Sequence, residues 1–206
     1  MQIISHRGLW KNIAERNKKE AFIRSFDLGL GTETDLRDIK GKIVISHDMP
    51  EGGEITFEEV LQIMNGRNLP LALNIKADGM AEKIKELLAK YHHTNYFTFD
   101  MSIPDMVVQI KAGLKVFTGL SDILPQPVML EKSAGIWLDC FNSDWYDSKV
   151  IDSLIDKGKK VCLVSADLHK RPTEDQWSTI KNAKNFKSDS LLLCTDKPLE
   201  AKEFFK

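Results

Sequence analysis

Hydrophobic residues along this chain come in short bursts, separated by stretches with helical spacing. Nine runs read as strands: QIIS (2–5), GTETDL (31–36), KIVIS (42–46), LALNI (71–75), YFTF (96–99), KVFTG (115–119), GIWLDC (135–140), KVCLVS (160–165) and SLLLCT (190–195). Between most of them, apolar positions recur three and four apart, the stripe of an amphipathic helix. Residues 18–28 set Ala21, Phe22, Ser25 and Phe26 on one face; 57–64 set Val60, Leu61 and Met64; 79–91 set Ile84, Leu87, Leu88 and Tyr91. Further helices are expected over 104–112, 148–157, 173–183 and 198–205. Start signals support several of them. Asn17 with Glu20 resembles a cap with its reciprocal acid, Thr56 with Glu59 forms a capping box, and Pro104 and Pro198 suit a first helical turn. The proline-containing stretch 121–133 predicts no more than a short helix.

Strands alternating with helices predict a parallel sheet with helices outside it. KIVIS follows GTETDL after a turn at Lys40-Gly41 and reads as a hairpin arm, which leaves eight strands for a compact (β/α)8 TIM barrel with a β-hairpin after strand 2. At 206 residues the chain lies near the lower length limit of that fold, roughly 200 residues, so trimmed helices and loops are expected. A doubly wound open sheet fits less well, because no glycine-rich phosphate turn follows the first strand. No repeat, linker or low-complexity segment interrupts the pattern, and one domain over 1–206 is expected.

Composition adds exclusions. With 42% hydrophobic residues and a formal net charge of -1, the chain has an ordinary globular balance and no electrostatic footprint for nucleic acid. No apolar run approaches the roughly 20 residues of a membrane helix. The opening MQIISHRG has no basic region followed by an apolar stretch, so no signal peptide is expected. Cys140, Cys162 and Cys194 are odd in number, lack metal-ligand spacing and sit in or beside apolar runs. Buried free thiols in a reducing cytoplasm are the expectation.

In a barrel, the polar residues at the C-terminal ends of the strands converge on one mouth. Those ends carry Ser5-His6-Arg7-Gly8, Glu33-Thr34-Asp35, His47-Asp48 on the hairpin arm, Asn74-Ile75-Lys76, Asp100, Asp139 and Thr195-Asp196. Glu33 and Asp35 lie two apart on a strand and therefore on one face, where a hard cation held by oxygen ligands would remove their repulsion. His6 and His47 are able to exchange protons near neutral pH. Arg7 and Lys76 are suited to an anionic group, though Arg7 would equally brace Glu33 or Asp35, and Lys76 has Asp78 as another partner. Cation, acid, base and anion clamp together suit attack at phosphorus.

His6-Arg7-Gly8, Glu33-x-Asp35 and His47-Asp48, in this order and spacing, resemble the glycerophosphodiester phosphodiesterases of the phosphatidylinositol-phospholipase-C-like superfamily. Asn17-x-x-x-Ala21-Phe22, Gly29 and Gly31 before the paired acids, Asn74-Ile75-Lys76 where the family has Glu-x-Lys, and Thr195-Asp196-Lys197-Pro198 extend the match over residues 3 to about 200. The resemblance implies a barrel, a divalent cation (Mg²⁺ or Ca²⁺), and hydrolysis of a small glycerol-linked phosphodiester in lipid metabolism. In the mechanism that the resemblance implies, a neighbouring hydroxyl of the substrate attacks phosphorus, often through a cyclic phosphate. Carried over residue by residue, it makes His6 and His47 the acid–base pair with the base unassigned. Glu33, Asp35 and Asn74 become metal ligands, and Arg7 and Lys76 phosphate contacts.

The departures from that pattern are specific. Asn74 replaces the family's third acidic ligand, which lowers the charge available to a cation. Glu15 stands one position early relative to the family's Glu-Asn-Thr, here Arg16-Asn17-Lys18. Met49-Pro50-Glu51-Gly52-Gly53 leads straight to the next helix where an insertion often shapes the glycerol pocket, and the late Trp-Thr-x-Asn reads Val164-Ser165-Ala166-Asp167. These changes sustain a second expectation, a catalytically impaired barrel that binds a phosphate-containing ligand. A third keeps the chemistry and changes the substrate to a phospholipid or polymer-linked diester, which would want an apolar rim.

Elsewhere the residues favour structural roles. Asp139 suits a structural hydrogen bond at least as well as a substrate hydroxyl, and Trp137, Phe141 and Trp145 suit core or rim packing. His92 and His93 follow a helix end and carry no assigned function, and 167–171 reads as a solvated loop with a lid as the lesser alternative.

Overall fold

In a computed structural model describing residues 1–206, each of the nine apolar runs forms a strand. They are β1 (Gln2–His6), β2 (Gly31–Ile39), β3 (Lys42–Ile45), β4 (Leu71–Ile75), β5 (Tyr96–Phe99), β6 (Phe117–Leu120), β7 (Gly135–Leu138), β8 (Lys160–Val164) and β9 (Leu191–Thr195). The helices are α1 (Lys19–Asp27), α2 (Phe57–Met64), α3 (Ala81–Lys90), α4 (Ile103–Lys111), α5 (Ser148–Asp156), α6 (Glu174–Lys181) and α7 (Pro198–Phe204). The sheet order is β5-β4-β2-β1-β9-β8-β7-β6, with β3 added to β2. Eight parallel strands with helices between them make this the expected α/β TIM-barrel topology. No helix is long and apolar enough to cross a membrane.

The chain divides into two compact units, Ser5–Val116 and Met1–Ile4 with Phe117–Lys206. In the first, β2 pairs in parallel with β4 and antiparallel with β3, and β4 pairs in parallel with β5. The hairpin forms because Lys40 (φ 50°) and Gly41 (φ 76°) both take left-handed backbone, the requirement of a tight two-residue turn. The core here packs Leu36, Ile43 and Ile45 against Phe22, Phe26, Phe57, Leu61 and Ile84. Burying each such side chain contributes about 1.5–3 kcal/mol. Thr56 and Glu59 cap α2 reciprocally, as the spacing predicts.

The Asn17–Glu20 cap does not form. Lys18 is the N-cap of α1 and makes no side-chain cap bond. Asn17, at φ 58°, is turned out of the helix entry and its amide is used elsewhere. Ser102 caps α4 with Pro104 in the first turn, and Pro198 opens α7. The stretch 121–133 yields only the 3-10 turn Leu130–Lys132.

In the second unit β6, β7, β8 and β9 pair in parallel in chain order. Their core joins Ile136, Leu138, Val161, Leu163, Leu191 and Leu193 to Ile151, Trp177 and Ile180 from the helices. All three cysteines are free and buried. The 167–171 segment is not a loosely solvated loop. Ala166–His169 forms a 3-10 turn, and the side chains of Asp167, His169 and Arg171 bond to Thr195, Asp139 and Cys140, while Lys170 stays exposed.

Candidate active site

The site residues predicted from the strand ends before Asp139 all belong to the first unit. Its centre is β2. Ser5 Oγ bonds the Thr32 hydroxyl at 3.1 Å and the Ser25 hydroxyl at 2.7 Å, tying the end of β1 to β2 and α1. The chain then turns through two consecutive left-handed residues, Arg7 (φ 59°) and Gly8 (φ 83°). That turn lets the Arg7 N–H donate to the Glu33 carbonyl at 3.0 Å and the Gly8 N–H to the Thr32 hydroxyl at 2.9 Å. Gly8 is required twice over. Its φ disfavours any side chain, and a Cβ there would stand 2.7 Å from Ala21 Cβ. His6 and Arg7 are thus held beside the paired acids by backbone bonds.

Glu33 and Asp35, 2% and 0% exposed, lie on one face of β2 as the alternation predicts. Their compensating charge comes in part from the protein itself. Arg7 Nε lies 2.9 Å from Asp35 Oδ2 in an ion pair without an aligned hydrogen bond, and Lys76 Nζ lies 3.5 Å from Asp35 Oδ1. Arg7 thus braces Asp35, and Lys76 pairs with Asp35 and not with Asp78. On the other acid, Glu33 Oε2 stands 3.8 Å from His6 Nε2. Burial, then the charge of Asp35, push the Glu33 carboxyl well above the usual carboxylate range, against the pull of Arg7 and Lys76. Asp100 adds to the upward push.

Asn74 is the Cα partner of Asp35 in the β2–β4 ladder and is 8% exposed. Its Nδ2 donates to Asp100 Oδ2 at 3.3 Å. Glu33 Oε2, Asp35 Oδ1 and Asn74 Oδ1 are among the buried oxygens that accept no hydrogen bond, the first two lying 3.8 Å from His6 Nε2 and 3.5 Å from Lys76 Nζ. Buried acceptors left this way are uncommon and costly. No group of three or more His, Cys, Asp or Glu side chains is arranged to hold a metal ion. Two carboxylates and an amide oxygen are, however, a donor set of the type that suits a hard cation.

His47 is placed differently from His6. The Ser46 N–H bonds the Asp35 carbonyl at 3.0 Å, so the end of the hairpin arm runs beside Asp35. The His47 side chain is 49% exposed, against 15% for His6, and its Nδ1 pairs with Asp48 Oδ1 at 2.9 Å. Its carbonyl accepts from Arg37 Nε at 3.1 Å.

Asn17 carries a role its position in the sequence did not indicate. Its Nδ2 donates to Asp35 Oδ2 at 2.9 Å, and its Oδ1 accepts from the Thr34 hydroxyl at 2.9 Å. Its N–H bonds the Arg7 carbonyl at 3.0 Å. The sequence signal was Asn17-x-x-x-Ala21-Phe22, which marked the residue without assigning it a contact. Glu15, one position early, accepts the Lys11 N–H at 2.9 Å and pairs with Arg24.

In the second unit, Asp139 Oδ1 accepts from Cys140 N and faces His169 Nε2, each at 2.7 Å. Burial raises the Asp139 carboxyl, against the pull of the His169 imidazole. Gln176 Nε2 donates to the Val164 carbonyl (2.8 Å), the Tyr146 hydroxyl (2.9 Å) and Cys140 Sγ (3.0 Å). Asp167 takes the Thr195 hydroxyl at 3.0 Å and the Asp196 N–H at 2.7 Å, which accounts for the closing Thr-Asp pair structurally.

No family model and no curated protein sequence matches the chain. Solved structures do. A glycerophosphodiester phosphodiesterase from Agrobacterium tumefaciens aligns with TM-score 0.68 at 15% identity, over 100% of this chain and 98% of that one. An Oleispira antarctica phosphodiesterase, in complex with the product sn-glycerol-3-phosphate, aligns with TM-score 0.69 at 17% identity over 99% and 96%. A phosphoribosyl anthranilate isomerase from Thermus thermophilus aligns at TM-score 0.50 and 10% identity over 100% and 95%. At these identities the likeness establishes the barrel fold, which hosts many chemistries.

Proposed function

We propose that this chain is a metal-assisted phosphoric diester hydrolase acting on a small glycerol-linked phosphodiester. The supporting observation is one convergence: buried Glu33 and Asp35, with His6 3.8 Å from the first and Arg7 and Lys76 on the second. The phosphodiesterases of like fold, one holding sn-glycerol-3-phosphate, add support from outside the chain.

Glu33, Asp35 and Asn74 Oδ1 would hold the divalent cation, Mg²⁺ or Ca²⁺. When bound, it supplies Lewis-acid polarisation of a phosphoryl oxygen and offsets the acids' charge. The remaining chemistry belongs to side chains. Displacement at phosphorus by a substrate hydroxyl moves two protons, one off the attacking oxygen and one onto the departing alkoxide, and leaves a cyclic phosphodiester that a water molecule opens with the two proton transfers reversed. Two imidazoles meet that need, His6 and His47, each worth about 10²–10⁴-fold in rate. Arg7 and Lys76 present guanidinium and ammonium donors to the anionic diester, and Asn17 keeps Asp35 in place.

A second reading draws on the missing three-acid cluster and on the exposed His47–Asp48 pair: a barrel that binds a phosphate-containing ligand without turning it over. Hydrolysis of glycerophosphocholine and bis(p-nitrophenyl) phosphate with Mg²⁺, Ca²⁺ or EDTA separates the two. Metal-dependent turnover lost in both His6→Ala and His47→Ala supports the hydrolase. Binding of glycerol 3-phosphate without turnover of any diester supports the binder.

A further inference from the structure

We infer that Asp100 is a positioning residue that sets the amide of Asn74 so that its oxygen, not its NH₂, faces the paired acids. This rests on the cation reading above.

An asparagine amide has two faces of opposite chemistry, and its hydrogen-bond partners decide which way round it sits. The Asn74 atom 3.3 Å from Asp100 Oδ2 is Nδ2, which donates to it. The amide is planar, so Oδ1 is carried to the other side of the group. There it is buried without a donor, as are Glu33 Oε2 and Asp35 Oδ1. Asp35 and Asn74 are registered partners on parallel strands, and their side chains share a face of the sheet.

The opposite orientation would be the natural choice for a site built to stay without a cation. An NH₂ turned towards two carboxylates would satisfy them and itself. The protein gives that donor to Asp100 instead, leaving Asn74 Oδ1 without a donor beside Asp35 Oδ1 and Glu33 Oε2, which have only the longer ion-pair contacts to Lys76 and His6.

Backbone geometry points the same way. Phe99 is the Cα partner of Asn74, so a continued strand would send the next side chain to the face opposite Asn74. Asp100 has φ 63°, which reverses the direction of its Cβ and brings the carboxylate back to the Asn74 amide. Left-handed backbone is disfavoured for residues other than glycine and is best tolerated by Asn and Asp.

The test is Mg²⁺ and Ca²⁺ binding by isothermal titration calorimetry on the full chain, with melting in EDTA as the control for folding. Asp100→Gly keeps the left-handed backbone and removes the acceptor; it is expected to weaken binding about 10–100-fold, with the EDTA melting temperature unchanged. Asp100→Asn restores an acceptor oxygen and is expected to recover affinity to within about 3-fold of wild type. In an Asn74→Asp background there is no amide to orient, so adding Asp100→Gly is expected to change affinity by less than about 2-fold. Wild-type affinity in Asp100→Gly, or an undiminished loss in the Asn74→Asp background, overturns the positioning role while leaving the cation site standing. A wild-type chain that binds neither ion overturns the cation reading, and this inference with it.

Discussion

Asn17 and Asp35, eighteen residues apart in the chain, are joined by a 2.9 Å hydrogen bond from amide to carboxylate. The same amide takes the Thr34 hydroxyl through its oxygen, and the Asn17 N–H bonds the Arg7 carbonyl. One side chain thus links the turn after β1 to the acid-bearing strand. With Arg7 and Lys76 it fixes which way the Asp35 carboxylate faces.

Asn17→Gly tests that link, because glycine keeps the left-handed backbone and deletes both side-chain bonds. Diesterase kcat/KM is expected to fall about 10–100-fold, the usual scale for a partner of a site carboxylate. Melting should shift by no more than a few degrees. Steady-state kinetics alongside calorimetric melting distinguish the two effects.

Glu33 should destabilise the cation-free fold at neutral pH. Its folded-state carboxyl titrates above its unfolded value. The protonated form is favoured by folding, so its stability contribution is complete below about pH 4.5 and is lost as pH rises through the folded-state value. Glu33→Gln has no such titration. In EDTA at pH 8 its Tm is expected to exceed wild type by about 2–4 °C, the shift of roughly 1 kcal/mol for a chain this size, with the gap closing towards pH 4. Diesterase activity is expected to be lost in the same variant. Melting curves across pH 4–8 give the comparison, and a gap that widens on acidification would refute the sign.

Gly8→Ala adds a methyl 2.7 Å from Ala21 Cβ at a residue with φ 83°. Left-handed strain and overpacking together predict a loss of about 2–4 kcal/mol, read as a lower urea midpoint at unchanged m. Since Gly8 also anchors the Arg7 turn, activity measured well below the unfolding midpoint should fall too.

The thiols should be inert. Burial pushes the Cys140 thiol up to about 12, and Cys162 and Cys194 are buried as well. The folded protein is expected to give no fast reaction with Ellman's reagent at pH 8, and three equivalents in guanidinium. Rapid titration of one thiol in the native state would contradict the assigned burial of that side chain.

The strand–helix order, the hairpin after Asp35 and the capping box at Thr56 were legible in the chain because each is written in local chemistry: apolar period, a turn residue pair, a three-residue spacing. The shared face of Glu33 and Asp35 was legible for the same reason, since strand alternation needs no tertiary information. Which charges meet was not. Arg7 had two possible roles and Lys76 two possible partners, and only the packing of β1, β2 and β4 set both against Asp35. Asn17 looked like a helix cap, yet left-handed backbone, invisible in the letters, turned it to the acid instead. The expected solvated stretch 167–171 became an inward-bonded turn because Asp139, Cys140 and Thr195 lie close in space, not in sequence. Periodicity is a property of neighbours along the chain and survives in the sequence. Electrostatic pairing depends on distances across the fold, and a few ångströms decide which of several chemically equal partners is used.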